Sequence, residues 1–474
     1  MHDNQASSTV ETWPRCPEAA HFFEDQFAAF TNANAIIADL ATTLHDHAGV
    51  DIRTLVDHWI FPREPEVLTT LGDCGMVESE IDYESVWEHP AGRLPRVRTA
   101  VEIYCPRLAL GVEDVDAFLA THSFEVISRL GDPGSAYEEA HCRIPHGELV
   151  VVARRGYRGF TPSTLDDAQR ATIDTVRAAF DSRDRSGDEA DAIELASSLF
   201  SDAAELVGLG RAVDEFFASE RRFYMARNTA AQWQYGRQQD LGIGWANHDH
   251  HTYRSSRESF RGILELWDVM GFIARERFYA GADAGWGAQV LEHPVSRVVI
   301  FCDVDMTPEE LDIDLLHTQL GPSALEPSPP SPSPIGMGEG PVIGGSLGTI
   351  GLWCALHGSS IGAAGMHHLE CEFDFTYANA LLTSNGHPTM KPFTDLPMLK
   401  QAFTEPEMWK VDAARLDALH MAGHITAEAW EKFERDGAAG SHMEVLQRWE
   451  GFKGFNKTGI SSIIKETDAR RMAA

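Results

Sequence analysis

WANHDHHTYRSSRESFRGILELWDVMGFIARERFYAGADAGWGAQVLEHPVSRVVIFCDVD, residues 245–305, is the stretch whose reading decides the fold. It opens with four adjacent residues able to ligate a metal, His248, Asp249, His250 and His251, and Arg254 follows on the same segment. In a strand, side chains two apart share a face, so His248, His250, Thr252 and Arg254 line one surface. Phe260, Ile263, Leu264, Trp267 and Met270 then fall at helical spacing, with Gly271 where a C-terminal cap belongs. Strand-like runs at 272–279, 286–291 and 295–305 complete the order strand, helix, strand, strand, strand. Asp303 and Asp305 share a face of the last run and put carboxylates at the far end of the unit.

Residues 55–106 repeat this plan. VDHWIF (56–61) is the opening strand and carries His58, PEVLTTLGDCG is a short helix with its Gly stop, and VESEID, ESVWEHP and RTAVEIYCP are strands. Both stretches contain Glu-His-Pro followed closely by Arg: Glu88, His89, Pro90 with Arg93 and Arg96, and Glu292, His293, Pro294 with Arg297. Both end near a cysteine, Cys105 and Cys302, and a duplication is the economical explanation. The fold class expected is α+β, with paired βαβββ units forming a curved mixed sheet, a helical insertion and a helical C-terminal region.

The divisions follow. Residues 1–50 are a helical N-terminal segment, 51–158 the first unit, 159–240 a helical insertion and 241–320 the second unit. Residues 321–346, rich in Pro, Ser and Gly, form a surface loop and a candidate lid. Residues 347–474 hold a strand pair, TIGLWCALHG and GMHHLECEFDF, with helices from Tyr377 onward.

The 474 residues, 43% apolar and 9% aromatic, are enough for two to four folded domains. No apolar run is long enough to span a bilayer, and the N-terminus lacks the basic and apolar regions of a secretion signal, so a cytoplasmic location is expected. The net charge of −33 argues against nucleic acid and anionic membranes as partners. Lys is absent before Lys391, so an anionic substrate would need a local arginine pocket. Seven scattered Cys without a C-x-x-C pair read as reduced thiols.

Two histidines and one carboxylate with open positions form the recurrent site for Fe(II) that binds substrate and O₂ together. His58 and His250 hold equivalent first-strand positions, and Asp305 or its neighbour Asp303 offers the carboxylate. Rival donors are Glu370 or Glu372 with His368, and Glu102 on the first unit's last strand.

The two-unit plan resembles the vicinal oxygen chelate superfamily, and within it is similar to the 2-oxoadipate dioxygenase/decarboxylase family. The matching residues are Asn247 to Arg254 (NHDHHTYR) for that family's H-x-x-H-x-x-x-R, with His248 and His250 two apart and not three. Phe301 to Asp305 (FCDVD) matches its acidic-x-acidic run, with Asp for Glu, and His58 with Arg63 gives a looser first motif. The resemblance covers roughly residues 50–310. It implies a non-haem Fe(II) dioxygenase that decarboxylates and hydroxylates a small 2-oxo acid, with O₂ as co-substrate. The implied ligands are His58, His250 and Asp305, and Arg254 and Arg63 are the implied substrate carboxylate binders. An extradiol-type dioxygenase or a metal-dependent isomerase or lyase on the same scaffold is the alternative among enzymes. A metal-free small-molecule binding protein is the alternative of another class.

Overall fold

Gly271 turns the chain after the helix Phe260–Val269 with a φ of 85°, which a residue with a Cβ rarely adopts. The helix buries Phe260, Ile263, Leu264, Leu266 and Trp267, each worth roughly 1.5–3 kcal/mol. Gly75, with a φ of 79°, does the same after the helix Pro65–Asp73. In both places the imidazole of the Glu-His-Pro motif lies against the glycine: a Cβ on Gly75 would sit 3.1 Å from His89 Nε2, and one on Gly271 3.5 Å from His293 Nε2. His89 Nδ1 accepts the Gly92 amide at 2.8 Å, and His293 Nδ1 accepts the Ser296 amide at 3.0 Å. The repeated motif is therefore structural, pinning the turn that leads to each unit's last strand.

The computed structural model describes residues 13–281, 284–321, 347–456, 463 and 468–472. The first sheet contains β1 (Val56–Pro62), β2 (Val77–Ile81), β3 (Glu84–Glu88), β4 (Arg96–Ala100), β5 (Arg107–Gly111), β6 (Glu125–Leu130), β7 (Tyr137–Ile144) and β8 (Gly147–Arg154). Their order is β2-β3-β4-β1-β5-β8-β7-β6. β1 pairs in parallel with β4, β5 in parallel with β8, and the antiparallel pair β1 and β5 joins the halves. With the helix Val115–His122 after β5, residues 107–154 are a complete βαβββ unit within the 51–158 stretch expected to hold one.

The second sheet repeats the arrangement with β9 (His248–Arg254), β10 (Ile273–Tyr279), β11 (Trp286–Glu292), β12 (Val299–Asp305), β13 (His368–Glu372), β14 (Thr394–Leu396), β15 (Leu399–Phe403), β16 (Glu407–Trp409) and β17 (Ala438–Arg448). The order is β10-β11-β12-β9-β13-β17-β15-β14, with β16 paired to β17. The helix Phe375–Ser384 follows β13, so this unit too is βαβββ, with an extra strand and the helices Ala413–Met421 and Ala427–Asp436 inserted before β17.

The fold is thus α+β, made of paired βαβββ units in curved mixed sheets, four units where two were expected. Two local differences accompany this. Residues 349–357, expected as a strand, form the helix Thr349–His357, and the region after Tyr377 carries strands among its helices.

Four helices, Asp167–Asp181, Glu189–Val207, Leu209–Met225 and Thr229–Asp240, link the sheets. One apolar core runs from Trp59 and Leu110 through Phe200 and Phe217 to Tyr253 and Cys371, joining one face of each sheet to these helices. The opposite faces have their own clusters, around Ile60, Val150 and Phe160 in the first sheet and Phe278, Phe301 and Phe403 in the second. Among the described residues no helix is long and apolar enough to cross a membrane. Residues 322–346, the candidate lid, lie outside the described residues.

Candidate metal centre

Strand alternation sorts β9 into two faces. His251 and Tyr253 enter the shared apolar side, where His251 lies 5.0 Å from the Phe217 ring. His250, Thr252 and Arg254 take the other side, in register with Val299, Phe301 and Asp303 of β12. Across the antiparallel junction His250 faces Glu370, and across β13 and β17 Glu370 faces Glu444. One step along, Thr252, His368 and His442 form the next row. The three central strands therefore present imidazoles and carboxylates side by side on a buried face.

Asp249, His250 and Glu370 each offer a ligand atom within 4.8 Å of the others. His250 Nδ1 is 3.0 Å from Asp249 Oδ2, and its Nε2 is 2.5 Å from Glu370 Oε2. That Glu370 oxygen makes no hydrogen bond, and the other accepts from Gln401 Nε2 at 3.3 Å. Gln401 also donates to Glu444 Oε1 at 3.0 Å.

Burial would raise every carboxyl here, yet Arg448 and Arg93 hold Asp249 well below the usual range. At Glu370 the pull of Arg448 is outweighed: burial, then Glu444 and Asp249, push it well above its ordinary value. Burial raises Glu444 to about 8. Burial also lowers His250, against Asp249. A neutral imidazole beside a carboxyl that ionises only at a cost, with an orphaned buried oxygen between them, is a donor set that a divalent cation fits.

A small pocket of about 40 Å³ opens on His250 and Phe301, walled by Arg93, Arg275, Arg448 and Lys453. It adjoins a cavity of about 680 Å³ lined from both sheets, by Asp57, Arg96 and Arg154 of the first and by Asp249 and Arg448 of the second. In a chain of net charge −33 the small pocket has a local excess of basic residues, with Arg297 added to Arg93, Arg275, Arg448 and Lys453 against Asp249 and Glu292, while acids and bases are nearly balanced around the larger cavity.

The remaining residues singled out in the sequence are dispersed. His58 lies in the first sheet and His250 in the second, so the two do not share a sheet. His58 is fully buried, its Nδ1 2.6 Å from Asp57, whose carboxylate takes Arg154 at 2.7 and 3.0 Å. Burial pushes the ring down to about 4. Its register neighbours are Arg96 and Ala109, neither of which can ligate a metal.

Arg63 is also in the first sheet, held by Glu78 at 2.8 Å and Thr99 at 2.8 Å. Asp305 shares the sheet of His250, but its oxygens accept the amides of Ile350 at 2.9 Å and Gly351 at 2.7 Å, at the start of the helix Thr349–His357. Those bonds give each Asp305 oxygen a helix-start amide, which ties the carboxylate to the helix. Burial raises Asp303 to about 7, and its partner is Arg254, Nε to Oδ2 3.9 Å. Glu102 is exposed, and Glu372 pairs with Arg93 at 2.8 Å. His442, Glu444, Gln401, Arg93 and Arg448 were not foreseen as site residues, because the strand bearing three of them, β17, lies in a segment read as helical.

No family profile and no curated protein matches the chain. Among solved structures, a mutant of 4-hydroxymandelate synthase from Streptomyces coelicolor aligns over 88% of this chain and 97% of its own, at 10% identity and a TM-score of 0.27. A Mn(II)-bound glyoxalase from Novosphingobium aromaticivorans aligns over 84% and 82%, at 8% identity and a TM-score of 0.19. Methylmalonyl-CoA epimerase from Mycobacterium tuberculosis aligns over 43% and 88%, at 12% identity and a TM-score of 0.23. Superposition at this level establishes no kinship by itself. The class of the molecule is defined by its own strand order, four βαβββ units paired in two sheets.

Proposed function

We propose that the chain is a metal-dependent enzyme whose ion is held by Asp249, His250 and Glu370, a non-haem Fe(II) dioxygenase acting on a small 2-oxo acid. The observation that carries this reading is the convergence of those three donors on a buried face next to a pocket walled by arginines. Iron(II) bound there would supply the Lewis-acid and redox chemistry that couples a chelating 2-oxo acid to O₂.

The chain's own residues set the conditions. Asp249 and Glu370 flank the His250 ring, Asp249 Oδ2 at Nδ1 and Glu370 Oε2 at Nε2, so that a carboxylate stands beside each ring nitrogen. Glu370, whose surroundings favour the protonated form, would ligate as the carboxylate, so metal uptake strengthens as pH rises. Arg93 and Arg448 place guanidinium groups on the approach, suited to a substrate carboxylate. Phe301, 4.2 Å from the His250 ring, excludes water from one side.

A second reading, a metal-dependent isomerase or lyase, is favoured by the donor count. Two carboxylates to one imidazole suit an oxygen-preferring ion such as Mn(II) as well as iron. Anaerobic titration with Fe(II) and with Mn(II), followed by O₂ uptake on a panel of 2-oxo acids, separates them. Uptake matched by CO₂ release supports the dioxygenase, and metal-dependent turnover without O₂ uptake supports the isomerase. Failure of both ions to bind, or binding undiminished in His250→Ala and Glu370→Gln, would sink both.

A further inference from the structure

The next row of the same sheet holds a group that the reading above does not use. His367, His368 and His442 are all buried, and their ligand atoms lie within 4.8 Å of one another. His367 Nδ1 lies 2.7 Å from the Gly440 carbonyl, and His442 Nδ1 lies 2.8 Å from the Thr404 carbonyl. A carbonyl only accepts, so both Nδ1 atoms carry the proton and both Nε2 atoms carry the lone pair. Neither Nε2, nor either nitrogen of His368, has a hydrogen-bond partner among the described residues. The Phe403 ring stacks on His368 at 4.6 Å. Buried polar groups normally find partners, and three imidazoles that each leave a nitrogen unpaired call for an explanation.

Beside them lies a second unpaired group. Arg254 is buried, its Nε makes no hydrogen bond, and its one ion-pair contact among the described residues is the 3.9 Å approach to Asp303. Its guanidinium sits 5.2 Å over the Trp353 ring, and Trp353 in turn lies 5.1 Å from His367.

We propose that His367, His368 and His442 form a second metal site, which takes a zinc-class divalent ion together with a small carboxylate or other oxyanion held by Arg254. Three imidazoles with fixed tautomers are the donor set of an open-coordinated zinc site, each backbone carbonyl serving as the outer partner that orients its ring. Burial, with Arg254 acting in the same direction, keeps all three rings neutral at pH 7, the form that ligates. The guanidinium fixes the class of the remaining ligand. A dication next to an arginine in a buried site is repelled, and an anion bridging the two removes the conflict while supplying the acceptor Arg254 lacks. The donors are distinct from Asp249, His250 and Glu370, and the two sets meet only along β13.

The test uses the full chain, stripped of metal and reconstituted with Co(II). Metal is counted by mass spectrometry and the visible spectrum recorded, with acetate as the anion probe and thermal unfolding to verify the fold. Two ions per chain are expected, with His442→Ala and the milder His442→Gln each losing the ion that gives the imidazole-rich visible bands and keeping the other. Arg254→Met is expected to keep both ions while acetate perturbs the spectrum at least about tenfold more weakly. A single ion lost in both His442→Gln and His250→Ala would mean one shared site and overturn the proposal, leaving the metal-dependent reading above in place. Two ions retained in folded His442→Ala would overturn it also. One ion lost in His442→Gln but none in His250→Ala would support it and count against the site at His250.

Discussion

Arg93, in the loop that enters β4 of the first sheet, places its Nη1 2.7 Å from Asp249 Oδ1 on β9 of the second. Arg448, at the end of β17, meets the other oxygen at 3.0 Å. Asp249 is thus held from both sheets, partly by a residue more than a hundred positions earlier in the chain. Arg93 is 40% exposed, so solvent screens it, and Arg448 remains when it is removed. Arg93→Ala is expected to cost only about 1 kcal/mol in urea unfolding. It should keep its metal and raise KM several-fold for an anionic substrate. An unchanged KM with normal metal content would take Arg93 off the approach route.

Asp305 gives a test that separates support from ligation. Its carboxylate satisfies two amides that start the helix Thr349–His357, and losing such a cap costs about 1–2 kcal/mol. Asp305→Ala should therefore lower stability by that amount and leave the ion count as in the wild type. Loss of one ion without loss of stability would make Asp305 a ligand after all.

The acid limb of stability carries a signature of His58. The folded ring titrates at about 4, and the unfolded one near 6.5. Between these values the unfolded chain binds a proton that the buried ring refuses. Its contribution is therefore complete above about pH 6.5 and is lost as pH falls toward 4, on the order of 3 kcal/mol for this ring. His248 and His442, also held near 4 by burial, act in the same direction. Urea unfolding from neutral pH down to about 4.5 should show a shallower acid slope in His58→Gln than in the wild type. Parallel slopes would contradict the neutral, buried His58.

Gly440 tests how closely β17 supports the three histidines. A Cβ there would run into the Trp409 ring, and the Gly440 carbonyl also accepts from His367 Nδ1 and Trp353 Nε1. Gly440→Ala is expected to destabilise by about 1–3 kcal/mol through overpacking. It should also weaken Co(II) binding at the three-histidine site more than at His250. Equal weakening at both would show that the strand moves as a whole.

Much of this architecture could be read from residue order, and the limits have physical causes. The first and third units stand out because each opens on a histidine-bearing strand and carries a glycine stop packed under a Glu-His-Pro imidazole. The second unit hides because β6 is exposed at every residue, so no alternation marks it as a strand. The fourth is split by two helices before β17, which breaks the spacing a repeat search depends on.

Residues 349–357 misled for the opposite reason. Seven of the nine are buried, and an apolar run buried all round has neither period. With that helix read as a strand, the amides that occupy Asp305 could not be anticipated. At the site, His250 and Glu370 were visible as donor types. Their pairing was not, since it depends on the register of strands far apart in sequence.

The two sheets also differ in what surrounds the same histidine. His58 and His250 hold corresponding positions on β1 and β9, yet His58 faces Arg96 and Ala109 while His250 faces Val299 and Glu370. Only the second sheet therefore sets a carboxylate across from this histidine, though both follow the same plan. The first sheet walls the shared cavity with Asp57, Arg96 and Arg154, so substitutions at those three positions would reshape the cavity while leaving the register of β9, β13 and β17 in place.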